Sequence, residues 1–417
     1  MRRRLPTVLR HRDFGLLWTA ILLSGFSSQM IAVAIGWQVY EVRHNPLDLG
    51  LVGLAEFIPL PLLALPAGQL ADRMSRRLLI AAALVLSTVI AAALVVVTVE
   101  EIDALWPYLV VALLSGVGSA LWWPAARALA PTLVPPDLLA TALAYRSIAM
   151  QAATVAGPAL GGLLFAVEPE IPYVVAGVLF LASLACTLAL HEGRAPADTE
   201  PSPGLGAVLA GLRFVRDTPV IFGAISLDLF AVLFGGAVAL LPVFASSILD
   251  VGPVGLGILR SAPAVGALVA GLLIARRPIG GQAGRKLLLA VGIFGLSMVV
   301  FGLSQSFALS CLALAVSGFV DMISMNIRST TVALATPNEL RGRVNAVEMV
   351  FISASNELGA FESGLAASVL GATRAVVLGG IATIGIAASW TRYFPALARV
   401  DRMEDVRPEP AVMPAGR

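Results

Sequence analysis

Seven side chains able to hold a proton, an ion or a polar ligand stand inside stretches of otherwise apolar sequence. Asp228, Asp321 and Glu357 are each centred in such a stretch, and Glu56 lies a few turns into another. Glu362 follows Glu357 by one and a half helical turns and so projects from a different face. Gln29 and Arg146 complete the set. A carboxyl group surrounded by apolar side chains can take up and release a proton instead of staying ionised. A charge at the centre of a lipid-embedded helix costs at least about 2.5–3.5 kcal/mol, so such groups are candidates for reversible proton binding. The alternative for Asp228, Asp321 and Glu357 is a helix–helix hydrogen bond or an ion pair with Arg146 or Arg328. Arg127, Arg328 and Glu348 stand nearer the ends of their stretches and fit a structural role better.

Other chemistries find no residues to carry them. The sequence has no Gly-x-x-x-x-Gly-Lys-Ser/Thr phosphate loop and no nucleophile elbow, which argues against ATP-driven work and against an enzyme. Cys186 and Cys311 are isolated, and His11, His44 and His191 fall outside the apolar cores, so no metal site, cofactor or disulfide framework is expected.

The elements that must position the buried groups are helices in lipid. Of 417 residues 58% are hydrophobic and 13% charged, against roughly 25% charged in soluble domains. The mean hydropathy is +0.89. A spanning helix needs about 20 apolar residues, and the sequence predicts twelve, near 14–40, 48–70, 78–99, 105–128, 138–166, 171–190, 219–248, 255–275, 286–303, 306–333, 345–370 and 373–394. The apolar run after Arg2, Arg3 and Arg4 is too long for a signal-peptide core and is expected to remain as the first span. Alternate loops are basic: Arg73, Arg76 and Arg77, then Arg276, Arg277, Arg285 and Lys286, then Arg341 and Arg343. The intervening loops are acidic, as in Glu100-Glu101-Ile102-Asp103 and Glu168-Pro169-Glu170. Lys/Arg bias therefore predicts both termini in the cytoplasm. The small net charge of +2 gives no reason to expect a nucleic-acid partner.

Residues 192–218 form the longest polar break and divide the spans six and six, with a short amphipathic helix expected near 205–216. The predicted organisation is a bundle over 1–191, a cytoplasmic linker over 192–218, a second bundle over 219–398 and a tail over 399–417. Arg127 and Arg328 are 201 residues apart, and so are Pro136 and Pro337. A six-span repeat of unchanged orientation is the parallel-repeat plan, with a binding site between the halves near the bilayer midplane.

Between spans two and three stands Gly68-Gln69-Leu70-Ala71-Asp72-Arg73-Met74-Ser75-Arg76-Arg77. This segment resembles the loop signature of the major facilitator superfamily, with Ser75 in place of the usual Gly. Gly68 permits close helix packing, Asp72 can cap a neighbouring helix N-terminus, and Arg73, Arg76 and Arg77 serve orientation and cytoplasmic ion pairs. Gly157-Pro158-Ala159-Leu160-Gly161-Gly162 in span five resembles the motif of exporting antiporters in the same superfamily. Its Pro removes a backbone hydrogen bond and its Gly residues admit a neighbouring helix, so the segment is expected to seal the outer side of a cavity. Trp123-Pro124-Ala125-Ala126-Arg127 and Arg341-Gly342-Arg343-Val344-Asn345-Ala346 are similar to a bacterial branch that includes the enterobactin exporter and macrolide or multidrug efflux proteins.

The resemblance implies an all-α integral membrane protein of twelve helices in two six-helix bundles, working as a monomer in the bacterial cytoplasmic membrane. It further implies export of a small, partly apolar compound, drug-like or a siderophore, in exchange for protons. Asp228 and Glu357 fit the coupling role best by depth, then Asp321 and Glu56, with Arg146 a partner that tunes one of them. The alternatives are a proton-coupled importer of a nutrient or anion, which would place more basic residues in the cavity, and a non-transporting membrane sensor. Trp106, Trp122, Trp123 and Trp390 read as interface belts, while Phe230, Phe234, Phe244 and Phe351 are candidates to line an apolar cavity.

Overall fold

The structure is a computed structural model and describes residues 7–63, 66, 70, 74–191, 205–403 and 406. Among these residues the regular structure is helical throughout. The first six crossings are α1 (Arg12–Arg43), α2 (Pro46–Phe57, apolar helix continuing to Leu63), α3 (Arg76–Val99), α4 (Trp106–Leu129), α5 (Leu139–Val167) and α6 (Ile171–Leu188). A surface helix α7 (Leu205–Asp217) precedes α8 (Pro219–Gly235), α9 (Gly252–Arg276), α10 (Ala283–Leu303), α11 (Phe307–Ala335), α12 (Arg341–Leu370) and α13 (Ala372–Tyr393).

Local sequence explains the turns between them. His44 takes a left-handed conformation that ends α1, and the side-chain oxygen of Asn45 accepts a bond from the Leu47 amide at 3.1 Å to start α2, with Pro46 in its first turn. The Ser75 hydroxyl caps α3 in the same way. Among the described residues, eleven segments are long and apolar enough to cross a bilayer. The twelfth crossing, α12, has length enough at 30 residues but carries Glu348, Asn356, Glu357 and Glu362 along it. It crosses packed against α2, α8 and α13, so protein rather than lipid surrounds much of its surface.

Two six-helix bundles result. In the first, α1 packs on α5 and α6, α3 on α4 and α6, and α2 on α4. In the second, α9 packs on α11, α10 on α11 and α13, and α8 on α12 and α13. Two pairs carry most of the contact between the bundles, α2 with α12 and α5 with α9. These pairs exchange under the repeat. The starts of α4 and α11, at Trp106 and Phe307, are 201 residues apart, as are those of α6 and α13, at Ile171 and Ala372. An even number of crossings places both ends of the described chain on one face, called here the terminal face.

Span seven differs from the expected continuous helix over 219–248. Helix α8 stops at Gly235, Gly236 turns the chain (φ −79, ψ 81), and short 3₁₀, α and π turns carry it through Leu240, Val243 and Ile248. A side chain at Gly235 would meet the Phe294 ring at 2.7 Å, and Pro242, in the first turn of the next short helix, has no amide to donate back along the chain. The freed Gly236 carbonyl accepts a bond from the Ser363 hydroxyl at 3.1 Å. Irregular backbone at membrane depth survives where it lines a cavity, and this one does. Of the expected linker, the described part is α7 and its exit. Helix α7 lies on the first turn of α12, where a β-carbon at Gly211 would stand 2.9 Å from the Arg343 carbonyl.

Candidate functional site

Between the bundles lies a cavity of about 640 Å³. Gln29, Glu56, Trp122, Trp123, Arg260 and Glu357 line it, together with Val232, Gly236 and Pro242 of the broken span. Three of these residues form the charged part of the wall: Glu56 from α2, Arg260 from α9 and Glu357 from α12. At 1.5 Å per residue they stand about 15, 12 and 20 Å from the ends of their helices opposite the terminal face, close to one depth in a 30 Å bilayer core.

Glycine brings the helices that carry them together. A β-carbon at Gly50 would stand 3.1 Å from the Phe361 Cα, and one at Gly53 would stand 3.1 Å from the Ala360 β-carbon. The same point on Gly53 lies 3.5 Å from the Glu357 carboxylate, so Glu357 of the second bundle rests against α2 less than one turn from Glu56. Gly116 of α4 takes the Glu56 backbone from the other side. Arg260 feels the charge of both acids, and Glu357 feels that of Glu56. One guanidinium thus lines the same wall as two carboxylates drawn from opposite bundles, near enough for their charges to act on it. With both acids ionised the group carries one uncompensated negative charge, and one proton removes it.

The family profile described as transmembrane secretion effector matches residues 6–413. The chain belongs to this family of major facilitator superfamily transporters. The transporter is 24% identical over 392 residues to macrolide efflux protein A of Streptococcus pyogenes, covering 90% of this chain and 94% of that one. It is 26% identical over 343 residues to the enterobactin exporter of Escherichia coli O81, covering 81% of each chain. A bacterial homolog of the lysosomal transporter Spinster, inward-facing and occupied, shares the fold with a TM-score of 0.76 at 14% identity, covering 97% of this chain and all of that one. A bacterial homologue of ferroportin, inward-facing, does so with a TM-score of 0.72 at 16% identity, covering 94% and 100%. The protein is a multi-pass membrane transporter of small molecules, not an enzyme.

The transporter's remaining candidate residues fall outside the cavity wall. Asp228 is ion-paired with Arg328, and Glu348 approaches the same guanidinium at 3.6 Å, so a buried arginine ties α8, α11 and α12 together. Asp321 is an exposed side chain of α11 and does not line the cavity. Glu362 is half-buried beside Ser363, also off the wall. Arg146 stands by Arg127 and pairs with neither Asp228 nor Glu357 among the described residues.

The Gly-Pro-x-x-Gly-Gly segment packs backbone on backbone. A β-carbon at Gly157 would fall 2.6 Å from that of Gln29, and one at Gly161 would fall 2.8 Å from the Met30 Cα. Gly162 lies on the Pro253 carbonyl, and Gly257 answers it with 3.0 Å to the Ala159 Cα. Pro158 sits within an unbroken α5. Gly68, Asp72 and Arg73 lie outside the described residues. Arg76 donates to the Ala128 carbonyl at 2.9 Å and Arg77 to that of Leu190 at 2.6 Å, so both satisfy carbonyls at helix ends as well as marking a basic loop.

Sequence reasoning missed Arg260. Its signal is plain in retrospect, a lone charge within Gly-Ile-Leu-Arg-Ser-Ala of an apolar helix. Trp122 and Trp123 line the cavity instead of forming a belt, because α4 turns that face inward. Phe244 is instead buried against Phe301, with ring centroids 4.5 Å apart.

Proposed function

We propose that this transporter exports a small, partly apolar compound in exchange for protons, using alternating access of the cavity between its two bundles. The observation that carries the reading is the pair Glu56 and Glu357, one from each bundle, on the same cavity wall as Arg260. The efflux names of the relatives support the outward direction. Asp228 is a weaker coupling candidate because Arg328 already compensates its charge.

In this cycle a proton arriving from outside neutralises the unbalanced carboxylate and favours the state open to the cytoplasm. Its release inside restores the negative charge, and the substrate leaves outward as the bundles rock. Each pH unit of gradient supplies about 1.4 kcal/mol per proton. The chain works as a monomer in the bacterial cytoplasmic membrane, with both termini and the linker over 192–218 in the cytoplasm. The basic residues Arg76, Arg77, Arg276, Arg277, Arg341 and Arg343 on the terminal face support that orientation.

Inside-out vesicles holding the protein test the reading, with a macrolide and enterobactin as probes. Uptake that rises with an imposed acid-inside gradient is expected for at least one of them. Uptake that ignores the gradient would refute proton coupling. A second reading, import of an anion, draws on the position of Arg260 in the wall, and efflux in the opposite direction would favour it.

A further inference from the structure

Two arginines stand one helical turn beyond the cavity wall, and neither has a carboxylate partner among the described residues. Trp123 lines the cavity and Arg127 follows it by four residues on α4; Met150 lines the cavity and Arg146 precedes it by four on α5. Residues four apart share a helix face. Helix α4 runs toward the terminal face and α5 away from it, so both steps lead out of the cavity in the same direction. Arg127 reaches across the gap between the bundles, its Nη2 3.5 Å from the Met349 sulfur on α12, a weak acceptor for a charged donor. Arg146 is half-buried, and its Nε is shut off from solvent with no hydrogen-bond partner. Among the described residues, the charge of Arg127 acts on Arg146.

The repeat supplies the contrast. Arg328, related to Arg127 by the 201-residue offset, is buried and compensated by Asp228 and Glu348. Among the described residues, acids compensate Arg328, although its Nε too lacks a hydrogen bond, whereas Arg127 has no carboxylate within ion-pair distance and stands near Arg146. Two guanidiniums held near each other at the edge of a low-dielectric space repel, and a planar anion bonded to both relieves that repulsion. One turn deeper, Trp122 and Trp123 meet edge to face with centroids 5.2 Å apart and offer a surface to a flat apolar body.

We infer that Arg127 and Arg146 form an anion subsite at the cavity mouth, which binds a carboxylate, sulfonate or phosphate group whose apolar remainder lies against Trp122 and Trp123. This rests on the cavity being the transport site and deepens that reading by naming the substrate class as an organic anion. The same chemistry would accept a lipid phosphate, so the test separates the two sources.

The experiment measures binding of pyrenebutyrate, pyrenebutanol and pyrenebutylamine to the full chain in phosphatidylcholine nanodiscs, by energy transfer from tryptophan to pyrene. The acid should bind about tenfold more tightly than the amine, as expected for charge-assisted hydrogen bonds. Arg127→Gln with Arg146→Gln should abolish that preference and keep alcohol binding, which reports a folded cavity. Should the double variant lose alcohol binding as well, each single variant must lower the preference. Equal binding of the three probes by the wild type, binding of none, or a preference that survives substitution overturns the inference. Replacing roughly one-third of the lipid with phosphatidylglycerol assigns the source: unchanged acid affinity marks a substrate anion, and a loss confined to the wild type marks a lipid headgroup. No gradient is applied, so a missing charge preference beside gradient-dependent transport would sink this inference alone.

Discussion

Glu357 in the second bundle rests against Gly53 in the first, with 3.5 Å from its carboxylate to the point where a Gly53 side chain would begin. The carboxylate proposed to couple protons and the contact that joins α2 to α12 are therefore one structure. Whatever moves α12 away from α2 also moves Glu357 away from Glu56. Under the proposed function, that link would turn a change of charge into a change of bundle packing.

Gly53→Val should uncouple the two. Its β-carbon already meets Ala360 at 3.1 Å, and two more methyls overpack the contact at a cost of about 1–3 kcal/mol. Thermal unfolding should shift down by a few degrees and transport should fall sharply. Wild-type melting and wild-type transport together would contradict the packing account.

Asp228→Asn should destabilise the protein without changing its coupling. Removing one partner of a buried ion pair leaves Arg328 under-compensated, at a cost of about 3–5 kcal/mol. Glu348→Gln should cost less, since its contact is longer at 3.6 Å. Thermal unfolding ranks the two variants, and pH-gradient dependence should survive in whatever protein remains folded. Loss of that dependence in a stable Asp228→Asn protein would return Asp228 to the coupling role.

Much of this was legible in the sequence, for physical reasons that particular residues show. Apolar runs long enough to cross lipid announce themselves by length alone, and the 201-residue offset of Arg127 and Arg328 reappears in the starts of α4 and α11. The break at Gly236 was not legible, because Ala237 through Ile248 stay as apolar as a continuous helix would be. Depth in a span was readable for Asp228 and Glu357 alike, but depth does not tell partner from partner. The ion pair with Arg328 was one of several alternatives for Asp228, beside a helix–helix hydrogen bond or a pair with Arg146, and only packing could choose. Arg260 was not legible as a site because a lone arginine is no proton carrier, whereas the balance of charge on the wall depends equally on that cation.

Gly162→Leu should bias the transporter toward the state open on the face opposite the terminal one. There α5 and α9 meet through Gly162 and Gly257 with no room for a side chain. Spin labels at Glu168 and Gln305, in loops of the two bundles on that face, should move apart relative to the unsubstituted protein. An unchanged distance distribution would show that this contact does not gate.

The orientation has its own test. Single cysteines at Glu101 and Glu170 should react with an impermeant reagent added outside intact cells, while one at Ser202 should be protected. Protection of the first two with labelling of the third would invert the topology.

The central claim is that Glu56 and Glu357, sharing Arg260, couple proton movement to transport. Its most direct measurement compares gradient-driven efflux with substrate counterflow at equal pH on both sides in proteoliposomes. Glu357→Gln and Glu56→Gln should each abolish the gradient-driven component, by about tenfold or more per pH unit of lost drive, while counterflow persists. Gradient-driven efflux intact in both variants would place the coupling elsewhere and contradict the account.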